Sequence, residues 1–162
     1  IVGFCSSPLG VVRLTERFIR QHPVDNVEYE SLVKHLRNEL KAIKKKLSAF
    51  MPQVLVGTAG AVTTLAALRD NIYPYDPEKI HGALLPRQDV EILLQELKEK
   101  SLNERLELKP LEPGREDLII AGAVIVLETM RAFKCDPLLV SEYSLREGII
   151  LKALKSLESG TS

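Results

Sequence analysis

The chain has no excess of charge of either sign: 22 lysines and arginines stand against 22 aspartates and glutamates. That balance excludes the net positive field that drives non-specific binding to nucleic acid, although a local basic patch can still form within it. Neither nucleic acid nor membrane is an expected partner, because no apolar run approaches the length that crosses a bilayer. The two cysteines, Cys5 and Cys135, lie far apart and without metal-type spacing. This excludes a disulfide scaffold and suits a reducing compartment, so the expected address is cytoplasmic. There is no basic-then-apolar leader, no internal repeat and no low-complexity tract. The opening IVGFCSS, without an initiator methionine, reads as a strand already under way, and the chain is expected to be a piece of a longer protein.

What is present is an ordinary soluble composition, 45% hydrophobic and 27% charged, in a length of 162 residues that suits one domain. Ile1 to Ser7 is expected to form a strand, followed by a helix on the stripe Val11, Leu14, Phe18 and Ile19. Tyr29, Leu32, Val33, Leu36, Leu40, Ile43 and Leu47 recur at steps of three and four, the signature of one helix face. Gln53 to Val56 reads as a strand that passes through Gly57-Thr58-Ala59-Gly60 into a helix from Ala61 to Arg69. Two prolines make Tyr73 to Pro77 a loop, before a short strand from Ile80 to Leu85 and a helix from Asp89 to Leu97. Pro110, Pro113 and Gly114 then break the chain ahead of a long helix from Arg115 to Phe133. Its LIIAGAVIVL segment, Leu118 to Leu127, is apolar nearly all round, which for a helix means burial on most sides, and Gly122 allows close approach. A strand from Pro137 to Val140 and an amphipathic helix marked by Leu145, Ile149, Ala153, Leu154 and Leu157 close the pattern. Alternating strands and helices predict one α/β layered domain over 1–158, with a polar tail at 159–162 and ligands at the carboxyl ends of the strands.

The sharpest local feature is VLVGTAGAVTTLAAL, residues 54–68. A strand handed through glycines to a helix start aims free N–H groups at one point, an arrangement that favours phosphate. Gly57 and Gly60 would let backbone approach an anion, and Thr58, Thr63 and Thr64 add hydroxyl donors. A tight βα turn with no ligand explains the same residues, and the run has neither the lysine of a P-loop nor the dinucleotide fingerprint. In SEYSLREG, residues 141–148, Ser141, Ser144 and Arg146 could reach the same crevice. Ser144 with Glu147 three residues on also fits a capping box, the reading these residues favour. His81 beside Gly82 could be a ligand contact or a proton shuttle, although a lone histidine is more often structural; Arg115 could reach an anion or a partner domain, with helix-end electrostatics the plainer reading of both Arg115 and Asp117. His22 and His35 have no metal-type partners, and Lys44-Lys45-Lys46 reads as a solvated cluster at a helix end. No self-contained catalytic set of nucleophile, base and acid stands out.

Five segments, SSPLGVVRLTERF, VGTAGAVTTLAAL, KIHG, REDLIIAGAVIVL and SEYSLREG, resemble in order and spacing the exopolyphosphatase and guanosine pentaphosphate phosphohydrolase family. The resemblance covers almost the whole chain. It implies an actin-like (ribonuclease H-like) ATPase-type α/β domain, a mixed sheet flanked by helices, forming the second half of a two-domain core. It also implies that Gly57 to Gly60 correspond to the adenosine motif of actin-like ATPases and REDLIIAGA to the second connecting motif. The family's catalytic glutamate and its amino-terminal phosphate motifs would precede Ile1. The family frequently has Gly and Thr where this sequence has Ala59 and Ala61, removing backbone freedom and one hydroxyl.

By that resemblance the complete protein would hydrolyse the terminal phosphoanhydride of polyphosphate or guanosine pentaphosphate. A carboxylate would activate the water, and Mg²⁺ would neutralise charge. Gly57, Thr58, Ala59, Gly60 and Thr63 would bind phosphate, with His81, Arg115, Ser141 and Arg146 lining the cleft. The expected partners are a phosphorylated small molecule or polyphosphate and the missing amino-terminal domain; the isolated domain would be inactive. A phosphorylated-nucleotide-sensing module without catalysis is the alternative, and a sugar-kinase half a third reading. An exposed sheet edge would favour a homodimer.

Overall fold

The computed structural model describes residues 3–47 and 52–159. Among them the order is α1 (Val11–Phe18), α2 (Asn26–Lys46), β1 (Leu55–Thr58), α3 (Gly60–Arg69), α4 (Pro77–Ile80), β2 (Leu84–Leu85), α5 (Arg87–Glu99), α6 (Leu102–Leu106), α7 (Ile119–Phe133), β3 (Leu138–Ser141) and α8 (Leu145–Ser159). The sheet runs β1-β3-β2. β1 and β3 are parallel, with Leu55 opposite Leu138 and Thr58 opposite Ser141, and β2 is antiparallel to β3. The result is a mixed sheet flanked by helices: the alternation of elements implies the α/β layering, and the family resemblance the mixed sheet.

α7 is the axis of the core. Ile119, Ile120, Ala121, Gly122, Ala123, Val124, Val126, Leu127 and Met130 are all buried. Helices α1, α2, α3 and α5 pack around it. A helix enclosed on so many sides must be apolar on more than one stripe, which is why the LIIAGAVIVL segment has no polar face. Gly122 sits where α7 meets α3: a Cβ there would lie 2.7 Å from the Ala61 Cβ. This is the close approach foreseen for Gly122, and it fixes the start of α3 against α7.

Four sequence expectations shift. Residues 3–10 form no strand, because no backbone ladder reaches them; Ile1 and Val2 lie outside the described residues. β1 begins at Leu55, not Gln53, since β3 supplies partners only from there onward. In the middle strand Ile80 instead ends the short helix α4, which Asp76 caps by accepting from the Glu78 N–H at 3.1 Å. α7 begins at Ile119, not Arg115: Arg115 N–H donates to the Glu112 carbonyl and Leu118 N–H to Arg115, tight-turn bonds set up by Gly114 at φ 84°. The predicted tail is described only as far as Ser159, the last residue of α8.

α6 has no counterpart in the sequence reading, although a complete capping box between Ser101 and Glu104 starts it. It carries Arg105, which is fully buried. The Arg105 guanidinium donates to the Leu97 carbonyl at 2.8 Å and the Glu116 carbonyl at 2.9 Å, and lies 2.9 Å from His22 Nδ1. Burial lowers its pKa to about 10, with nearby Asp117 acting in the opposite direction. Arg105 thus ties the end of α5 to the turn that leads into α7. α8 differs from every other long helix: none of its described side chains is buried, and Leu145, Ile149, Ile150, Leu151 and Leu154 are exposed.

Gly122→Val tests the α3–α7 contact. Overfilling a tight core position typically costs about 1–3 kcal/mol, so the urea midpoint is expected to fall by that equivalent, with the slope unchanged.

Candidate functional site: an anion-binding cleft at the start of α3

β1 delivers the chain to the amino end of α3 through Ala59, whose φ of 78° and ψ of 167° lie in a region that glycine adopts freely and alanine does not. No side chain caps α3. By helix geometry its first N–H groups therefore point out of the helix end, carrying the positive end of the helix dipole. Arg115 lies directly over this end: a Cβ on Gly60 would fall 1.9 Å from its Nη1. The bare Gly60 thus lets the guanidinium rest on the turn; a side chain there would displace that flexible end. Arg115 Nε donates to Glu112 Oε2 at 2.6 Å, which orients the side chain across the turn ahead of α7.

The facing wall comes from the segment after β3. Ser141 Oγ donates to the Tyr143 carbonyl at 3.1 Å and accepts from the Tyr143 N–H at 3.2 Å. Thr58 Oγ1 donates to the same carbonyl at 3.0 Å. His81 Nδ1 accepts from the Glu142 N–H at 3.3 Å, and the ring lies 4.5 Å from that of Tyr143. Thr58, Ser141 and His81 therefore hold the 142–143 segment in place and do not face the cleft. Ser144 forms the anticipated cap: Glu147 Oε2 accepts from Ser144 N–H at 2.6 Å and Oγ at 2.8 Å, while Ser144 Oγ accepts from Arg146 N–H at 3.4 Å. Those Ser144 bonds hold the partly buried Glu147 carboxyl down to about 2. Arg146 has its side chain 86% exposed and lies 4.0 Å from the Glu147 carboxylate, at the outer limit of an ion pair.

Between these walls lies a cleft of about 360 Å³ lined by Ala59, Gly60, Thr63, Thr64, Tyr75, Glu112, Arg115, Glu142, Ser144 and Arg146. Of the residues singled out in the sequence, it brings together Ala59, Gly60, Thr63, Thr64, Arg115, Ser144 and Arg146. Gly57 is outside it. Its missing Cβ would fall 2.9 Å from both the Leu138 and Val62 side chains, so that glycine serves strand–helix packing. Tyr75, Glu112 and Glu142 were not foreseen. Tyr75 sits in what reads as a plain proline loop, and Glu112 in a helix breaker; Glu142 lies inside the SEYS segment, where the serines carry the sequence signal. The Tyr75 hydroxyl donates to Glu142. Burial, and then the neighbouring carboxylate, push the phenol's pKa up.

The donors are of one kind: a helix start, two guanidinium groups and the Thr64 hydroxyl, all suited to an oxyanion, while the Thr63 hydroxyl donates to the Gly60 carbonyl at 3.4 Å. The two cleft carboxylates are engaged, Glu112 by Arg115 and Glu142 by Tyr75. Among the described residues no three His, Cys, Asp or Glu side chains cluster as metal ligands. These donors fit a phosphate better than a cation.

A profile of the Ppx/GppA phosphatase family matches residues 1–157. The chain belongs to that family. Exopolyphosphatase 2 of Mycobacterium tuberculosis is 33% identical over 155 residues, covering 93% of this chain and 49% of that protein. A bifunctional 3-dehydroquinate synthase/phosphatase of Fusobacterium nucleatum is 33% identical over 150 residues, covering 91% of this chain and 22% of the relative. The crystal structure of the Aquifex aeolicus Ppx/GppA family member superposes with a TM-score of 0.87 at 36% identity, over 94% of this chain and 48% of that one. The fold is therefore that of the Ppx/GppA proteins, the actin-like ATPase fold. The chain spans about half the length of the exopolyphosphatases it matches.

Two predictions follow from the cleft's backbone and its cap. Ala59→Gly removes a side chain from a conformation costing about 1–3 kcal/mol and should raise stability by about 1 kcal/mol once the unfolded-state entropy of glycine is set against it. A thermal or urea midpoint measures it. For Glu147, the folded pKa of about 2 lies below the ordinary 4.5, so the cap's contribution is complete above 4.5 and is lost as the pH falls through 2. Amide chemical shifts of Leu145 to Gly148 should titrate in that window, and Glu147→Gln should abolish the titration.

Proposed function

We propose that this domain forms one wall of the phosphate cleft of an exopolyphosphatase-type enzyme, acting on the terminal phosphoanhydride of inorganic polyphosphate or guanosine pentaphosphate. The observation that carries the reading is the convergence of Arg115 and Arg146 on the uncapped start of α3. Phosphoryl transfer depends chiefly on positioning and on stabilising charge at the equatorial oxygens, and these groups supply both. A terminal phosphate would sit against the first turn of α3, with Arg115 over one face and Arg146 closing from the α8 side. Thr63 and Thr64 line the floor.

Activation of the attacking water needs a carboxylate free to accept a proton. Glu112 and Glu142 are bonded to Arg115 and Tyr75, so the catalytic base is assigned to the part of the parent protein that lies opposite this wall. Mg²⁺, which in the complete enzyme would neutralise phosphate charge, is assigned to that part as well, because the cleft's own donor set suits an anion. The isolated domain is accordingly inactive in this reading. The same engaged carboxylates favour the second reading, a sensor that binds phosphorylated nucleotides without turnover.

The test is phosphate release from long-chain polyphosphate and from guanosine pentaphosphate with Mg²⁺, comparing this chain with its full-length parent. Activity confined to the parent, with Arg115→Gln lowering kcat/KM by about 10²-fold, is the expected outcome. A parent that binds guanosine pentaphosphate but releases no phosphate from either substrate would replace hydrolysis with sensing.

A further inference from the structure

A cationic stripe lies away from the cleft, between α2 and α7. Lys34, Arg37, Lys41 and Lys44 fall on one stripe of α2 at steps of three and four, a run of about 15 Å at 1.5 Å per residue. Arg131 and Lys134 approach the same groove from the end of α7. The groove has two parts, of about 680 and 350 Å³, joined at Arg37, which lines both. Its opposing charges are few. Glu30 bounds the upper part, and Glu128, 3% exposed, accepts from Arg37 at 2.7 Å and Arg131 at 2.6 Å. Burial pushes the Glu128 carboxyl up, but those two arginines more than reverse it and hold it below the ordinary range. Glu91 also pairs with Arg131, at 2.9 Å.

These contacts absorb the arginines and leave the lysines. Among the described residues no carboxylate lies within ion-pair distance of Lys34, Lys41, Lys44 or Lys134. Lys44 donates to the Ala132 carbonyl at 2.9 Å, which fixes its position without cancelling its charge. In a chain of zero net charge, four uncompensated cations along one open groove make a local field that the composition hides.

We propose that the α2–α7 groove is a secondary binding track for a linear polyanion, specifically the inorganic polyphosphate chain. The proposal rests on the exopolyphosphatase reading of the cleft. A single phosphate would meet one or two exposed cations, an interaction worth little in water. A long chain meets all of them at once and releases its counterions, so affinity grows with length. The groove lining contains no aromatic side chain, and therefore no platform for stacking bases, which favours polyphosphate over single-stranded nucleic acid.

The experiment is fluorescence anisotropy of labelled long-chain polyphosphate with this chain across a salt series. Four lysines predict a slope of log K against log salt of about −3, at about 0.7 per charge. Lys34→Glu/Lys41→Glu/Lys134→Glu, which spares Lys44 and its structural bond, should reduce the slope to about −1 and weaken binding at least tenfold. Circular dichroism confirms that this surface variant remains folded. Triphosphate, too short to span the groove, should bind both proteins equally. Unchanged long-chain binding in the lysine variant overturns the track. So does equally tight binding of single-stranded DNA of matched charge, which would mark a generic cationic surface. Arg115→Gln/Arg146→Gln separates the two ideas: if it alone abolishes long-chain binding, the cleft reading stands and the track fails. If it changes neither long-chain nor triphosphate binding while the lysine variant loses the long chain, the track stands and the cleft reading fails.

Discussion

The structure depends on the burial of α7. A helix surrounded by α1, α2, α3 and α5 acts as a common reference against which each is set, and Gly122 is where that reference is sharpest. With no side chain at Gly122, the Ala61 methyl settles onto the α7 backbone and the first turn of α3 is held at a fixed depth. The turn that precedes α7 carries Arg115. The contact that positions the helix start and the segment that bears the guanidinium are therefore coupled through the same core helix, and the cleft inherits the rigidity of the core. Arg105 reinforces this from behind by holding the Glu116 carbonyl, one residue beyond Arg115.

Much of this was legible because hydrophobic periodicity reports burial directly. α2, α5 and α7 follow from their stripes or from the lack of a polar face, and the Gly-Thr-Ala-Gly run marks the strand-to-helix turn. The cleft was legible only in part. Ala59, Gly60, Thr63, Thr64, Ser144 and Arg146 belong to recognisable βα junctions and Arg115 follows a proline–glycine break, but Tyr75 and Glu112 come from loops, where spacing has no period to reveal which way a side chain turns. Strand limits failed for a related reason. β1 starts where β3 offers ladder partners, and that is a property of the pair, invisible in either segment alone. Gly57, Thr58, Ser141 and His81 have the residue types of a phosphate site, but all four serve to pack or pin the segments that frame it.

Among the described elements α8 is the one whose composition and environment disagree. Leu145, Ile149, Ile150, Leu151 and Leu154 would ordinarily be core residues, and all are exposed. The helix nonetheless bears directly on the site, because the bonds between Ser144 and Glu147 order Ser144 and set the backbone from which Arg146 reaches the cleft. Its start is thus fixed by local hydrogen bonds that need no tertiary burial.

The cleft and the groove handle charge in opposite ways. In the cleft each guanidinium is matched in number by a carboxylate, and Arg115 is held by Glu112 at 2.6 Å with both side chains about half exposed. An exposed pair of that kind contributes at most about 1 kcal/mol, whereas a charge-assisted bond from a guanidinium to phosphate is stronger and more directional. Glu112 therefore keeps Arg115 over the α3 start in the absence of ligand, yet yields it readily to a phosphate oxygen. In the groove the reverse holds. Arg37 and Arg131 are locked onto a buried carboxylate that cannot leave, and only the outer lysines remain to meet a ligand. The first arrangement suits recognition of one phosphate in one orientation, the second the loose retention of a long chain that must still move.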